Sequence, residues 1–143
     1  VYQLGIAMEN KIMLESKEFL DTNGFLKTYY KYQYHINGNI GYEWRRLGKL
    51  DSPNDYPALS YFNIKFWYKN GKLHRENNPA IIRNDTDEEW YFNGDRHRNS
   101  GPAVINGNIK EYWWKGKQYD FERWSIIATL NKQEKIEIIL QYG

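Results

Sequence analysis

Trp67-Tyr68-Lys69-Asn70-Gly71-Lys72-Leu73-His74-Arg75 returns 23 residues later as Trp90-Tyr91-Phe92-Asn93-Gly94-Asp95-Arg96-His97-Arg98. The prolines keep that interval: Pro79-Ala80-Ile81-Ile82 and Pro102-Ala103-Val104-Ile105 lie 23 apart, and Pro57-Ala58-Leu59 lies 22 before the first. Self-similarity at a fixed period of this size marks a repeat architecture. Extended outward, the frame takes in a decayed unit, Trp44-Arg45-Arg46-Leu47-Gly48-Lys49-Leu50-Asp51, and a truncated one, Tyr112-Trp113-Trp114-Lys115-Gly116-Lys117-Gln118-Tyr119. The turn glycines then fall at 48, 71, 94 and 116. Residues 42–119 are read as about four units of 22–23 residues, the outer two atypical, as the caps of a stacked array are.

Asn-Gly occurs five times, at 23, 37, 70, 93 and 106. It is the strongest short-range hairpin signal, because both central residues of a type I′ turn need positive φ. Each unit is therefore predicted to be a β-hairpin. A two-residue turn at Asn93-Gly94 pairs Phe92 with Asp95, Tyr91 with Arg96, Trp90 with His97 and Glu89 with Arg98; the unit before it pairs Trp67 with His74 and Phe66 with Arg75. Short apolar runs joined by Asn106-Gly107 supply the intervening strands, and Pro79 and Pro102, lacking a donor, are expected to start strands.

The fold class that follows is mainly β: an antiparallel meander of repeated hairpins, forming an elongated sheet, with a C-terminal helix. One sheet face collects the Trp and His positions and is predicted to be buried. The other collects Tyr68, Leu73, Tyr91 and Arg96. Residues 1–41 read as a β-rich N-terminal cap, with Tyr30, Tyr32 and Tyr34 alternating as a strand face requires; residues 6–20 fit helix or strand. In the C-terminal cap, 120–143, Asp120 is placed to N-cap a helix with Phe121, Trp124, Ile127 and Ala128 at helical spacing, shielding the last repeat's edge. Residues 135–140 fit a second helix or a strand. The three segments are expected to form one domain.

Composition narrows the function. The 143 residues carry 20 Lys and Arg against 18 Asp and Glu, a net +2 without the concentrated excess that phosphate neutralisation needs. The absence of cysteine excludes a disulfide framework, a thiolate metal site and a cysteine nucleophile. Aromatics at 17%, including 13 Tyr and 6 Trp, favour strands. No apolar run is long enough for a bilayer, and no secretory signal opens the chain, so a cytoplasmic location is expected. The start at Val1 rather than Met suggests that residues precede it.

The pattern Trp-Tyr-x-Asn-Gly-x-x-His-Arg-x-x-x-Pro-Ala resembles the MORN-like tandem repeats of phage, large-DNA-virus and some bacterial proteins. The match is specific at 67–82 and 90–105. It departs at Leu47-Gly48 and Asp51, where Asn-Gly and His are expected, at Asn78 before Pro79, and at Tyr119 in the His position. The resemblance implies elongated single-layer sheets that contact proteins or membrane lipids, hence an interaction protein rather than an enzyme.

His74-Arg75 and His97-Arg98 invite a catalytic reading, since His serves as a general base near neutral pH and Arg holds anions. The structural reading is preferred: a His recurring opposite a Trp builds a cross-strand ladder, imidazole on indole, its ring N–H bonding a carbonyl. Trp44, Trp67, His74, Pro79, Trp90, His97 and Pro102 are accordingly assigned structural repeat roles. Tyr68, Arg75, Tyr91, Arg96 and Arg98 are assigned as contact anchors, because interface hot spots favour such side chains. Three His without convergent carboxylates give no metal site, and no catalytic residue or cofactor is assigned. The expected function is that of a non-enzymatic protein-binding module, a phage or viral inhibitor or adaptor of the anti-defence type acting on a host protein in the host cytoplasm. Two alternatives stand beside it: single-stranded nucleic-acid or anionic-lipid binding through the basic cluster Lys27, Lys31, Arg45, Arg46 and Lys49, and a structural or assembly role with self-association through sheet edges.

Overall fold

The computed structural model describes residues 9–143, the side chains from Lys11 onward. The chain is mainly β, an antiparallel meander of hairpins followed by two C-terminal helices, and it divides into two compact units, one ending at Gly71 and the other starting at Lys72.

The first unit contains β1 (Glu9–Leu20), β2 (Leu26–Ile36), β3 (Asn39–Arg46), β4 (Lys49–Leu50), a 3-10 turn at Pro53–Asp55, β5 (Leu59–Tyr61), β6 (Ile64–Phe66) and β7 (Tyr68–Lys69). The ambiguous N-terminal stretch is thus a strand from Glu9 onward, and its part before Glu9 lies outside the described residues. β1, β2, β3, β5 and β6 pair antiparallel in chain order. Asp21 closes the β1–β2 loop, its carboxylate accepting the N–H groups of Asn23 and Phe25, both at 2.9 Å. Phe19, Tyr29 and Trp44 form the core beneath that hairpin, with the Phe19 ring edge-on to Tyr29 at 5.6 Å and to Trp44 at 5.8 Å. Tyr34, opposite Gly41 in the ladder, is fully buried with its ring lying over the glycine; a Cβ there would sit 2.5 Å from the ring. The glycine is needed for close approach rather than for φ.

The second unit contains β8 (Lys72–Leu73), β9 (Ile81–Arg83), β10 (Asp87–Glu89), β11 (Tyr91–Phe92), β12 (Asp95–Arg96), β13 (Val104–Asn106), β14 (Ile109–Trp114), β15 (Lys117–Tyr119), α1 (Phe121–Ile127) and α2 (Lys132–Tyr142). β9, β10, β13, β14 and β15 pair antiparallel in that order. Asp120 caps α1 by accepting Arg123 N–H at 2.8 Å, and the run at 135–140 is helical, within α2, which opens on a capping box between Asn131 and Glu134. α1 packs against β14: Trp124 is fully buried, 4.9 Å from the Tyr112 ring. Pro79 and Pro102 each precede a strand by two residues, and the alanines after the prolines, Ala58, Ala80 and Ala103, are all fully buried.

Positive φ at both turn residues is met at Asn37-Gly38 (48° and 78°), Asn70-Gly71 (50° and 80°) and Asn93-Gly94 (49° and 90°). Leu47-Gly48 and Lys115-Gly116 adopt the same geometry without asparagine, Leu47 at 50° and Lys115 at 46°. Asn106-Gly107 is not itself the turn: Asn106 pairs with Ile109, so Gly107-Asn108 makes the connection. Asn23-Gly24 lies in the longer Asp21–Phe25 loop.

Three hydrogen bonds recur between successive hairpins. The turn glycine N–H of Gly71, Gly94 and Gly116 donates to the carbonyl of Leu50, Leu73 and Arg96 at 2.8, 2.8 and 2.9 Å. The N–H before it, of Asn70, Asn93 and Lys115, donates to a side chain: Asp51 at 3.4 Å, His74 Nδ1 at 3.0 Å and His97 Nδ1 at 3.1 Å. The N–H groups of Ser52, Arg75 and Arg98 donate to the carbonyls of Tyr68, Tyr91 and Trp113 at 2.8, 3.3 and 3.4 Å.

Candidate functional site

His74 and His97 sit where each hairpin meets the next. Their Nδ1 atoms accept from backbone, so both neutral rings carry the proton on Nε2. The expected polarity, a ring N–H donating to a carbonyl, is reversed. Each imidazole lies against a ring of the following hairpin: His74 is 4.7 Å from Phe92, and His97 is 4.4 Å from the Trp114 indole. His74 is buried and His97 half-buried. Burial, and then the positive charge of Lys115, holds the His97 imidazole below its ordinary value, with Asp95 opposing. Asp51 accepts the same bond as the two histidines and is held by Arg46 at 2.9 Å. The departure from His at that position therefore preserves the acceptor.

Arg75 and Arg98 are not opposite Phe66 and Glu89. The hairpin ladder at β11–β12 holds only Tyr91 with Arg96 and Phe92 with Asp95, closed by His97 N–H to the Trp90 carbonyl at 3.0 Å. Beyond that bond the strands diverge, because the Arg98 N–H turns to Trp113, as the Arg75 N–H turns to Tyr91. Both guanidinium groups donate to a proline carbonyl four residues on, Arg75 to Pro79 at 3.3 Å and Arg98 to Pro102 at 3.0 Å. Arg98 also stacks on the half-buried Trp90, 3.8 Å from the ring centroid, and donates to Tyr142 Oη of α2 at 2.9 Å.

The carboxylate expected to face Arg98 instead collects other partners. Glu89, buried and opposite Ile81 and Val104, receives Arg83 at 2.5 Å, Arg96 at 2.8 Å and the Tyr91 hydroxyl at 3.0 Å. Arg96 Nε donates in turn to Tyr91 Oη at 3.0 Å. Burial works to raise the Glu89 carboxyl, but Arg83 and Arg96 outweigh it and hold it below the ordinary range. Burial, then the Glu89 charge, pushes the Tyr91 hydroxyl up to about 12. Glu43 in the first unit is a similar centre, fully buried and paired with Arg45 at 2.8 Å and with Lys11.

The five residues assigned as anchors are thus half-buried. Tyr91 and Arg96 meet on Glu89, Arg98 lies against Trp90, and Tyr68 belongs to the first unit, its hydroxyl raised by burial and by Tyr61. Trp44 and Trp67 are buried, and Trp67 Nε1 donates to the Asp55 carbonyl at 3.0 Å. In the basic cluster, Lys27 pairs with Asp21, Lys31 with Glu15, Arg45 with Glu43 and Arg46 with Asp51.

An open groove of about 520 Å³ lies between β14, β15 and the start of α1, lined by Lys110, Glu111, Tyr112, Gln118, Tyr119, Asp120 and Phe121. Its two carboxylates are engaged: Glu111 accepts Trp113 Nε1 at 2.8 Å and Asp120 caps α1. Among the described residues no group of three His, Asp or Glu could hold a metal ion, and no helix is long and apolar enough to cross a membrane. Two exposed apolar features lie outside the expected contact residues, Ile12, Met13 and Leu14 of β1 and the α2 positions Ile136, Ile139 and Leu140, the last three exposed by 40, 51 and 80%. Their spacing at i, i+3 and i+4 was the available signal. Comparison of the chain with known protein families, curated proteins and solved structures returns no match in any of the three.

Proposed function

We propose that this chain is a non-enzymatic protein-binding module that acts on a host protein as a phage-type or viral inhibitor or adaptor. The observation that carries the reading is the use made of the recurring His-Arg motif. His74, Arg75, His97 and Arg98 are all bonded to backbone carbonyls or N–H groups. The side chains that invite acid-base chemistry or anion binding therefore serve as scaffold. Among the side chains left in water are apolar ones: Phe92 and Ile109 are exposed by 48 and 58%, and Ile136, Ile139 and Leu140 share one face of α2. Apolar side chains grouped on a surface are the usual material of protein contacts. Nucleic-acid or lipid-headgroup binding loses support, because Lys27, Arg45 and Arg46 of the basic cluster are already in close ion pairs.

The test is affinity capture from host lysate at low and high salt. One stoichiometric protein retained at high salt, and lost with Ile139→Asp or Leu140→Asp, supports the reading. Capture of nucleic acid or lipid alone, released by salt, overturns it.

A further inference from the structure

Every residue from Lys11 to Glu18 of β1 is exposed. Ile12, Met13 and Leu14 are 53, 57 and 46% accessible, although the strand is the longest in the chain at 12 residues. β1 ends the strand order, and among the described residues its single partner is β2. A strand bonded on one side presents a row of unpaired N–H and C=O groups on the other.

The register against β2 slips between Glu9 and Ile12 and again between Met13 and Glu15, then runs unbroken from Glu15 to Leu20. Bulges twist an edge away from further pairing, which leaves Glu15–Leu20 as the regular edge. An antiparallel two-fold pair places one residue opposite its own copy, with the flanking residues opposite each other in exchange. Centred on Glu15, Lys17 or Glu18, that arrangement sets like charge on like charge. Centred on Phe19, it offers a buried side chain, and centred on Leu20, half of the ladder falls beyond the end of the strand. Centred on Ser16, it sets Glu15 opposite Lys17 of the second copy, twice, on one face of the strand. Opposite charges in that position stabilise a ladder and like charges destabilise it. Glu15 is half exposed and only loosely held by Lys31 at 3.8 Å, so its carboxylate is available to the second lysine.

We propose that a second copy of this chain pairs antiparallel with the free edge of β1 about a two-fold axis at Ser16, through a short ladder over Glu15–Lys17 of each copy with Glu15 of each against Lys17 of the other. Because both copies use the same edge, the contact closes at a dimer and does not propagate into a fibre. The inference does not depend on the host-protein reading, and its test uses only this chain.

Sedimentation equilibrium of the whole chain is expected to give a reversible dimer. Lys17→Glu and Glu15→Lys should each weaken it by at least about tenfold, and the two variants, mixed one to one, should recover a dimer, because both cross-strand pairs are then again of opposite sign. Far-UV circular dichroism checks each variant's fold, and if either fails to fold, the Glu15→Lys/Lys17→Glu double exchange supplies the same recovery within one chain. A monomer at every concentration, a dimer indifferent to both single variants, or open-ended growth overturns the proposal.

Discussion

His97 Nδ1 lies 3.1 Å from the backbone nitrogen of Lys115 and accepts its hydrogen, so protonating the imidazole sets donor against donor. The His97 value is lowered in the folded chain, and a lowered value means that the unfolded chain binds the proton first. The stability contributed is fully present above the ordinary histidine value and is lost as pH falls through the folded one. Urea titrations at stepped pH should show this acid limb opening as pH falls below about 6.5. His97→Asp, which installs the acceptor found at Asp51, should fold and lose that limb, while His97→Leu should cost about 1 kcal/mol at neutral pH.

Leu47 and Lys115 hold positive φ at turns where asparagine stands elsewhere. A branched or long side chain is strained there by roughly 1–2 kcal/mol. Leu47 is 83% exposed and surrenders little burial when replaced, so Leu47→Asn should raise stability by about 1 kcal/mol, read as a higher melting temperature. An unchanged or lower value would mean that the turn is not strained.

Trp67 and Trp90 occupy the same place in the recurring motif but not the same environment, Trp67 being 5% exposed and Trp90 half-buried. Trp67→Ala should cost roughly 3–5 kcal/mol and Trp90→Ala about 2 kcal/mol, much of the latter from the Arg98 stack. Denaturant midpoints of the two variants give the order directly.

Glu89→Gln removes the charge that Arg83, Arg96 and Tyr91 share and should destabilise by about 3 kcal/mol. Its lowered value gives stability that is present above the ordinary glutamate range and lost as pH falls through the folded value. The variant should therefore show a shallower loss of stability below about pH 5 than the parent chain.

The hairpins were legible because turn chemistry is local: Asn93-Gly94 and the alternation around it set Tyr91 opposite Arg96 and Phe92 opposite Asp95, and the chain does so. The Asp120 cap was legible for the same reason. What could not be read was where a hairpin's strands part. Extending the ladder one pair too far placed Arg98 on Glu89, whereas the Arg98 N–H is taken by a carbonyl of the next hairpin, a contact 15 residues away in sequence that no local rule encodes. The role of histidine as acceptor was hidden likewise, since it depends on the turn N–H of the following hairpin. Asp51 carried the clue: a carboxylate can only accept, so its presence at the histidine position already favoured an acceptor.

In the bonds that join successive hairpins, two turn N–H groups reach back to a carbonyl and an accepting side chain of the hairpin before, and one further N–H reaches forward to a carbonyl of the hairpin after. Duplication or deletion of a whole interval would hand every donor a new acceptor of the same kind, whereas a change of any other size would orphan a row of them. Changes in length among descendants of this chain are therefore expected to come as complete hairpins.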